Sequence, residues 1–138
     1  NNYSKSEDIK NWFQTIYIPI DKLLGQILNP LSSKIRDLSA DPYDEILMDS
    51  FCAYLDKSKS KIKKIKILYT SIVSPSLIKD FSLELYHCLS QVEDGLNELE
   101  RYTMGYVDNY LHDGKSMLAE AKKKRKFLQT NKKDWLNL

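Results

Sequence analysis

A chain of 138 residues, 42% apolar and 29% charged, has the length and make-up of one globular domain spanning 1–138, which excludes wholesale disorder. Only 4 Gly and 4 Pro argue against an all-β fold, which needs frequent turn residues, and two cysteines are too few for a disulfide scaffold. A net charge of +2 implies no polyanionic partner by itself, and no apolar run reaches the roughly 18 residues of a transmembrane span. The chain opens on Asn1 rather than Met, which reads as a processed protein or an excised fragment, with a cytosolic setting expected.

The first stretch carries apolar residues at Ile9, Trp12, Phe13, Ile16, Ile20, Leu23, Leu24, Ile27, Leu28, Leu31, Ile35 and Leu38. Steps of three and four lay these along one helical stripe. Ser4-Lys5-Ser6-Glu7 has capping-box spacing at its start. Pro19 and Pro30 each remove a backbone donor, so a kink is expected, with Asn29-Pro30 as the true break. At Ser39-Ala40-Asp41-Pro42 the cap-then-proline pattern predicts a boundary, with Asp41 as the cap and a new helix running to Val73. Its seam is Phe51, Leu55, Ser58, Ile62, Ile65, Tyr69 and Ile72. Ser74-Pro75 repeats the signal and predicts the start of the next helix.

From Leu77 the stripe runs through Phe81, Leu85, Cys88, Leu89, Val92, Leu96 and Leu99, and continues past Tyr106 without losing phase. One helix from Pro75 to Leu128 would be about 80 Å long and would outrun its partners. A reversal at Gly105 gives four rods of similar length, whereas Asp113-Gly114 has the better turn chemistry. The favoured reading is an all-α, antiparallel up-down bundle of four helices, with Trp12 and Trp135 at one pole. The alternative is three helices with a long, overhanging third.

A hairpin about Ser74 offsets Cys52 from Cys88 by eight residues, about 12 Å along the axis. That is beyond disulfide reach, so two free thiols are expected. Chemistry-bearing motifs are weak. His87 precedes Cys88, but helical neighbours point about 100° apart. Glu84-Leu85-Tyr86-His87 is half of a di-metal ligand set, and His112 has Asn109 where the second motif needs an acid. Arg101 and His112 share a face but lie about 16 Å apart along it. The isolated glycines form no phosphate loop. No catalytic residue, metal ligand or cofactor is therefore assigned.

Surface patterning remains. Tyr102, Tyr106 and Tyr110 recur every four residues, an aromatic stripe suited to a protein partner or to self-association. Lys57–Lys66 is rich in lysine, and folding about Ser74 would bring Glu84 and Glu93 near it. Lys122, Lys123, Lys124, Arg125 and Lys126 point all round a helix, so the last helix is expected to project or fray there. Eight acids and one base lie between Asp80 and Asp113; eight bases and one acid lie between Lys115 and Lys133. Such blocks either neutralise each other or meet separate partners. The leading functional reading is a non-catalytic helical interaction or scaffold module. The second is a binder of nucleic acid or anionic membrane through Lys59, Lys63, Lys66 and the 122–126 run. A metal-binding or enzymatic bundle is a distant third.

Overall fold

The computed structural model describes the backbone of residues 2–136 and the side chains of residues 5–136. The first rod joins α1 (Asn2–Trp12), a π-helical turn (Phe13–Tyr17), α2 (Ile18–Leu28) and α3 (Leu31–Ala40). Three long helices follow: α4 (Glu45–Ser71), α5 (Lys79–Gly105) and α6 (Asp108–Leu136). Among the described residues there is no strand. The first rod packs on α4 and α6, α4 packs on α5, and α5 packs most extensively on α6. This is the expected four-helix up-down bundle, reversing at Gly105; Gly114 lies inside α6. The three-helix alternative is excluded.

The first apolar stripe becomes core: Trp12, Phe13, Ile16, Ile20, Leu24, Ile27, Leu28 and Leu38 are buried. The expected kink takes the form of the π-turn, closed by the Ile18 amide donating to the Phe13 carbonyl. Pro19 offers no amide to the helical ladder and its ring crowds the carbonyl four residues back, so a widened turn just before it relieves both problems. Asn29 and Pro30 form the second break. The capping box expected at Ser4 rests on a side chain outside the described residues, and the backbone is already helical from Asn2.

Two boundaries fall later than expected. Asp41 is not the cap of α4; its carboxylate instead accepts from the Tyr43 amide in a turn. Asp44 is the cap, accepting from the amides of Ile46 (2.9 Å) and Leu47 (3.1 Å). Pro75 does not open a helix, because its backbone is extended at φ −57°, ψ 144°. A 3₁₀ turn, Ser76–Ile78, intervenes before α5. The lysine-rich stretch of α4 consequently faces a later part of α5, with Lys66 paired to Glu93 and Lys59 to Glu100. Glu93 is met as expected, while Glu84 is too early in α5.

Antiparallel register between the first rod and α6 is fixed by Arg125 against Asp21 and by Lys132 over the Tyr17 ring. Residues near 12 and 135 therefore share a pole, where Trp12 is buried and Trp135 packs partly buried on the same core. Both cysteines are free, as expected. They also lie well apart along the bundle: Cys52 neighbours Thr103 near one end, whereas Cys88 neighbours Ala121 at mid-length.

The α5–α6 pair is close because both seams carry glycine. On α5 the seam is Phe81, Leu85, Cys88, Val92, Gly95, Leu99 and Tyr102; on α6 it is Leu111, Gly114, Leu118, Ala121, Arg125 and Leu128. Steps alternate between three and four in both. A methyl group on Gly95 would sit 2.6 Å from Leu118 Cγ, and one on Gly114 would sit 2.8 Å from Leu99 Cδ2 and 3.1 Å from the Gly95 carbonyl. The hairpin then closes through Tyr106, which takes the left-handed conformation at φ 58°. Substituting Gly114→Val is expected to cost about 1–3 kcal/mol by overpacking. Gly105→Ala, which meets nothing within 4 Å, should be neutral or gain about 0.5 kcal/mol. Urea unfolding of the two variants checks both signs.

Candidate interaction surfaces

The tyrosine stripe does not survive as one surface. Tyr102 is 3% exposed and belongs to the core. Tyr106 leaves the helix axis as the left-handed cap of α5, and Tyr110 sits in the first turn of α6 with Arg101 5.9 Å from its ring centroid. The even spacing is an accident of a turn inserted between two helices. Tyr106 contacts Tyr102 and also Tyr43, whose ring lies 5.3 Å away across the connection between α3 and α4. Exposed Tyr43, Ile46, Met104 and Val107 accompany it at this pole.

The 122–126 run does not fray, since α6 continues through it to Leu136. Arg125 occupies a seam position and turns inward. Its Nε donates to Asp21 Oδ1 at 2.8 Å, and Gln129 Nε2 donates to Asp21 Oδ2 at 3.2 Å. Gly25 makes room for the guanidinium, since a methyl there would lie 2.8 Å from Arg125 Nη2. Lys122 donates to the Ser32 hydroxyl at 3.0 Å, and Lys123 pairs with Glu120. Lys126 is exposed and Lys124 half-buried. Of the α4 lysines, Lys63 is exposed and lines a small cleft with Glu93 and Asn97. Within the run that sequence reading took as uniformly basic, one residue is thus structural. The 4-3 spacing of Gly114, Leu118, Ala121, Arg125 and Leu128 was the available signal.

Buried groups near Arg125 are chemically quiet. Burial, then the Asp21 charge, pushes the Tyr17 phenol upward. Burial also pushes the Cys88 thiol up to about 11, and that thiol donates to the Ala121 carbonyl. Adjacent His87 points out to solvent, so no thiolate–imidazole pair forms. Glu84, His87 and His112 are all exposed, and among the described residues no three His, Cys, Asp or Glu side chains gather to hold a metal ion.

Sequence reasoning missed two grooves. Between α4 and α5, Ile62, Ile65 and Leu89 floor an apolar groove of about 230 Å³ walled by Tyr69 and Tyr86. The Tyr69 hydroxyl donates to the Ser82 carbonyl at 3.0 Å, which fixes that wall; Tyr86, 49% exposed, leans against it. Ile72, Val73, Leu77 and Leu83 are exposed around the adjoining connection. Between α3 and α6 lies a cleft of about 450 Å³ with Leu31, Ile35 and Ala119 in its lining and Arg36, Lys115 and Lys122 beside them.

Comparison with known families supplies the context. A family model described as the cyanobacterial DnaJ chaperone, C-terminal domain, matches residues 4–136. The chain belongs to this family. No curated protein and no solved structure matches it. In this DnaJ C-terminal domain, no helix among the described residues is long and apolar enough to cross a membrane.

Asp21→Asn and Arg125→Met should each destabilise the domain by about 1–3 kcal/mol, because each leaves a partly desolvated partner. Their double-mutant cycle in urea should show a coupling near 1 kcal/mol. At pH 8, iodoacetamide should modify half-exposed Cys52 well before Cys88. The raised Cys88 pKa also stabilises the native state below pH 9 and withdraws that stability as pH climbs from about 9 to about 11, which urea midpoints across that range will report.

Proposed function

We propose that this domain is a non-catalytic polypeptide-binding module of a DnaJ-type chaperone, and that it holds apolar segments of other proteins in the α4–α5 groove. The carrying observation is the coincidence of that groove with a ring of exposed apolar residues at the same pole. Ile72 is 43%, Val73 90%, Leu77 57% and Leu83 48% exposed, all close to the groove's open end. Stable monomers seldom display such groups together without a use for them. The family's description as a chaperone C-terminal domain supports a protein as occupant.

The groove suits one or two aliphatic side chains. Its floor is aliphatic, its walls are tyrosine rings with apolar bodies and polar edges, and the Lys66–Glu93 pair closes one side. Binding would remove already exposed surface from water without reorganising the core, and this is the term that drives such association. The reading retains the cytosolic setting expected from the sequence.

The alternative is an anionic surface read by Lys59, Lys63, Lys66 and residues 122–126. It is the weaker proposal because four of those eight cations are already paired with carboxylates of the bundle. Lys59 and Lys66 hold glutamates of α5, Lys123 holds Glu120, and Arg125 holds Asp21.

Fluorescence anisotropy with a labelled leucine- and valine-rich peptide tests the main reading. Tyr86→Asp and Val73→Asp should each weaken binding about tenfold, through lost apolar contact and a buried charge. Val107→Asp, at the opposite pole, should leave it unchanged. Wild-type affinity in Tyr86→Asp, or equal loss in Val107→Asp, would show that the groove is not the site.

A further inference from the structure

The cleft between α3 and α6 is built from two facing seven-residue repeats. On α3, Ser32 and Ser39 lie seven residues apart with Arg36 between them; on α6, Lys115 and Lys122 lie seven apart with Ala119 between them. Both sets fall on a single helical face. The helices run antiparallel, and the Lys122–Ser32 hydrogen bond sets their register. That register places Lys115 opposite Ser39 and Ala119 opposite Arg36. Each end of the cleft therefore presents an ammonium and a hydroxyl, and the middle presents a guanidinium over a small residue.

The charge in this cleft is unbalanced. Five cations elsewhere meet carboxylates: Lys59, Lys66, Arg101, Lys123 and Arg125. Among the described residues, no carboxylate pairs with Arg36, Lys115 or Lys122. The acids nearest in sequence, Asp37, Asp113 and Glu120, do not line the cleft, and Glu120 is occupied by Lys123. Beneath the cations the floor is apolar, with Leu31 at 4% and Ile35 at 7% exposure. Like charges held about 10 Å from end to end over a low-dielectric floor focus a positive potential there.

We propose that this cleft is a second protein-docking site, which takes an acidic peptide segment whose carboxylates bracket a small apolar side chain. The spacing selects the ligand. Ends about 10 Å apart match residues i and i+3 of a polyproline II segment, which share one face and rise roughly 3.1 Å per residue. One carboxylate meets Lys115 with Ser39, the other meets Lys122 with Ser32, and the intervening apolar residue rests on Leu31 and Ile35 above Ala119. Arg36 can bond either carboxylate bidentately. A nucleic acid would use the cations but has no use for an apolar floor, and no aromatic ring lines the cleft for bases to stack on.

Isothermal titration of the whole domain tests the site with a short peptide in which leucine and alanine separate two glutamates. A version carrying glutamines and a single-stranded oligonucleotide serve as comparisons. Lys115→Glu and Lys122→Glu should each weaken peptide binding at least tenfold, and Arg36→Gln should do so by about tenfold. Ala119→Leu fills the floor without changing charge and should abolish binding. These positions are exposed or half-exposed, and unchanged helical circular dichroism confirms that each variant is folded. Raising salt from 50 to 300 mM should lower affinity several-fold. The proposal is overturned if the acidic peptide fails to bind, binds no better than the glutamine version, ignores the charge reversals or Ala119→Leu, or binds more weakly than the oligonucleotide. Retention of leucine/valine-peptide binding by Lys115→Glu separates this site from the α4–α5 groove.

Discussion

The close approach of α5 and α6 through Gly95 and Gly114 sets the geometry of the whole bundle. Two facing glycines let Leu118 cover one helix and Leu99 cover the other, so knobs enter holes with backbone as their floor. That pair becomes a narrow, stiff hairpin. Four rods cannot all approach one another that tightly when their other seams carry Trp12, Phe13, Tyr17 and Phe51. The aromatic rings of Trp12, Phe13 and Tyr17 pack edge-on around Phe81 at centroid distances of 5.0–6.1 Å and hold the first rod at ring thickness. Clefts open where neither glycine nor aromatic packing closes the gap, along α4–α5 and along α3–α6.

Charge is sorted between those two clefts. Along α4–α5 the lysines of one helix are answered by the glutamates of the other, which leaves the groove electrically neutral and its floor apolar. Along α3–α6 the acid block of α5 is out of reach, and the cations face hydroxyls. The same residue types thus build one surface for hydrophobic contact and another of unspent positive charge. The difference lies in which helix is the neighbour and not in local composition.

This explains what the sequence disclosed and what it concealed. Periodicity disclosed the rods, because Ile20, Leu24, Ile27, Leu55, Ile62, Leu85 and Val92 are buried wherever a three-four stripe places them. The balance of rod lengths located the reversal at Gly105 over the chemically stronger turn signal at Asp113-Gly114. That signal misled because glycine within a seam and glycine within a turn look alike until the partner helix is known. The cap at Asp44 was hidden by Asp41, which makes a turn of its own three residues earlier. Arg125 was hidden among four other cations, although its seam position was readable from spacing. The clefts depend on register between elements far apart in the chain, and local pattern carries none of that information. The 3₁₀ turn at Ser76–Ile78 shows how small the missing quantity was: a few residues spent in a connection replaced Glu84 by Glu100 as the second partner of the α4 lysines, beside the expected Glu93.

Asp21 and Arg125, 104 residues apart, join the first rod to the last helix. Every other neighbouring pair of rods is joined by a short connection, so each of those pairs meets over modest loop lengths. This one seals the ring from end to end. During synthesis the first rod emerges early, yet its α6 flank stays bare until the final fifth of the domain has left the ribosome. Assembly therefore has a local phase, in which hairpins zip, and a long-range phase, in which a ring closes, and the second sets the pace. Until then the aromatic face around Trp12 and Tyr17 is the most vulnerable surface of the nascent polypeptide.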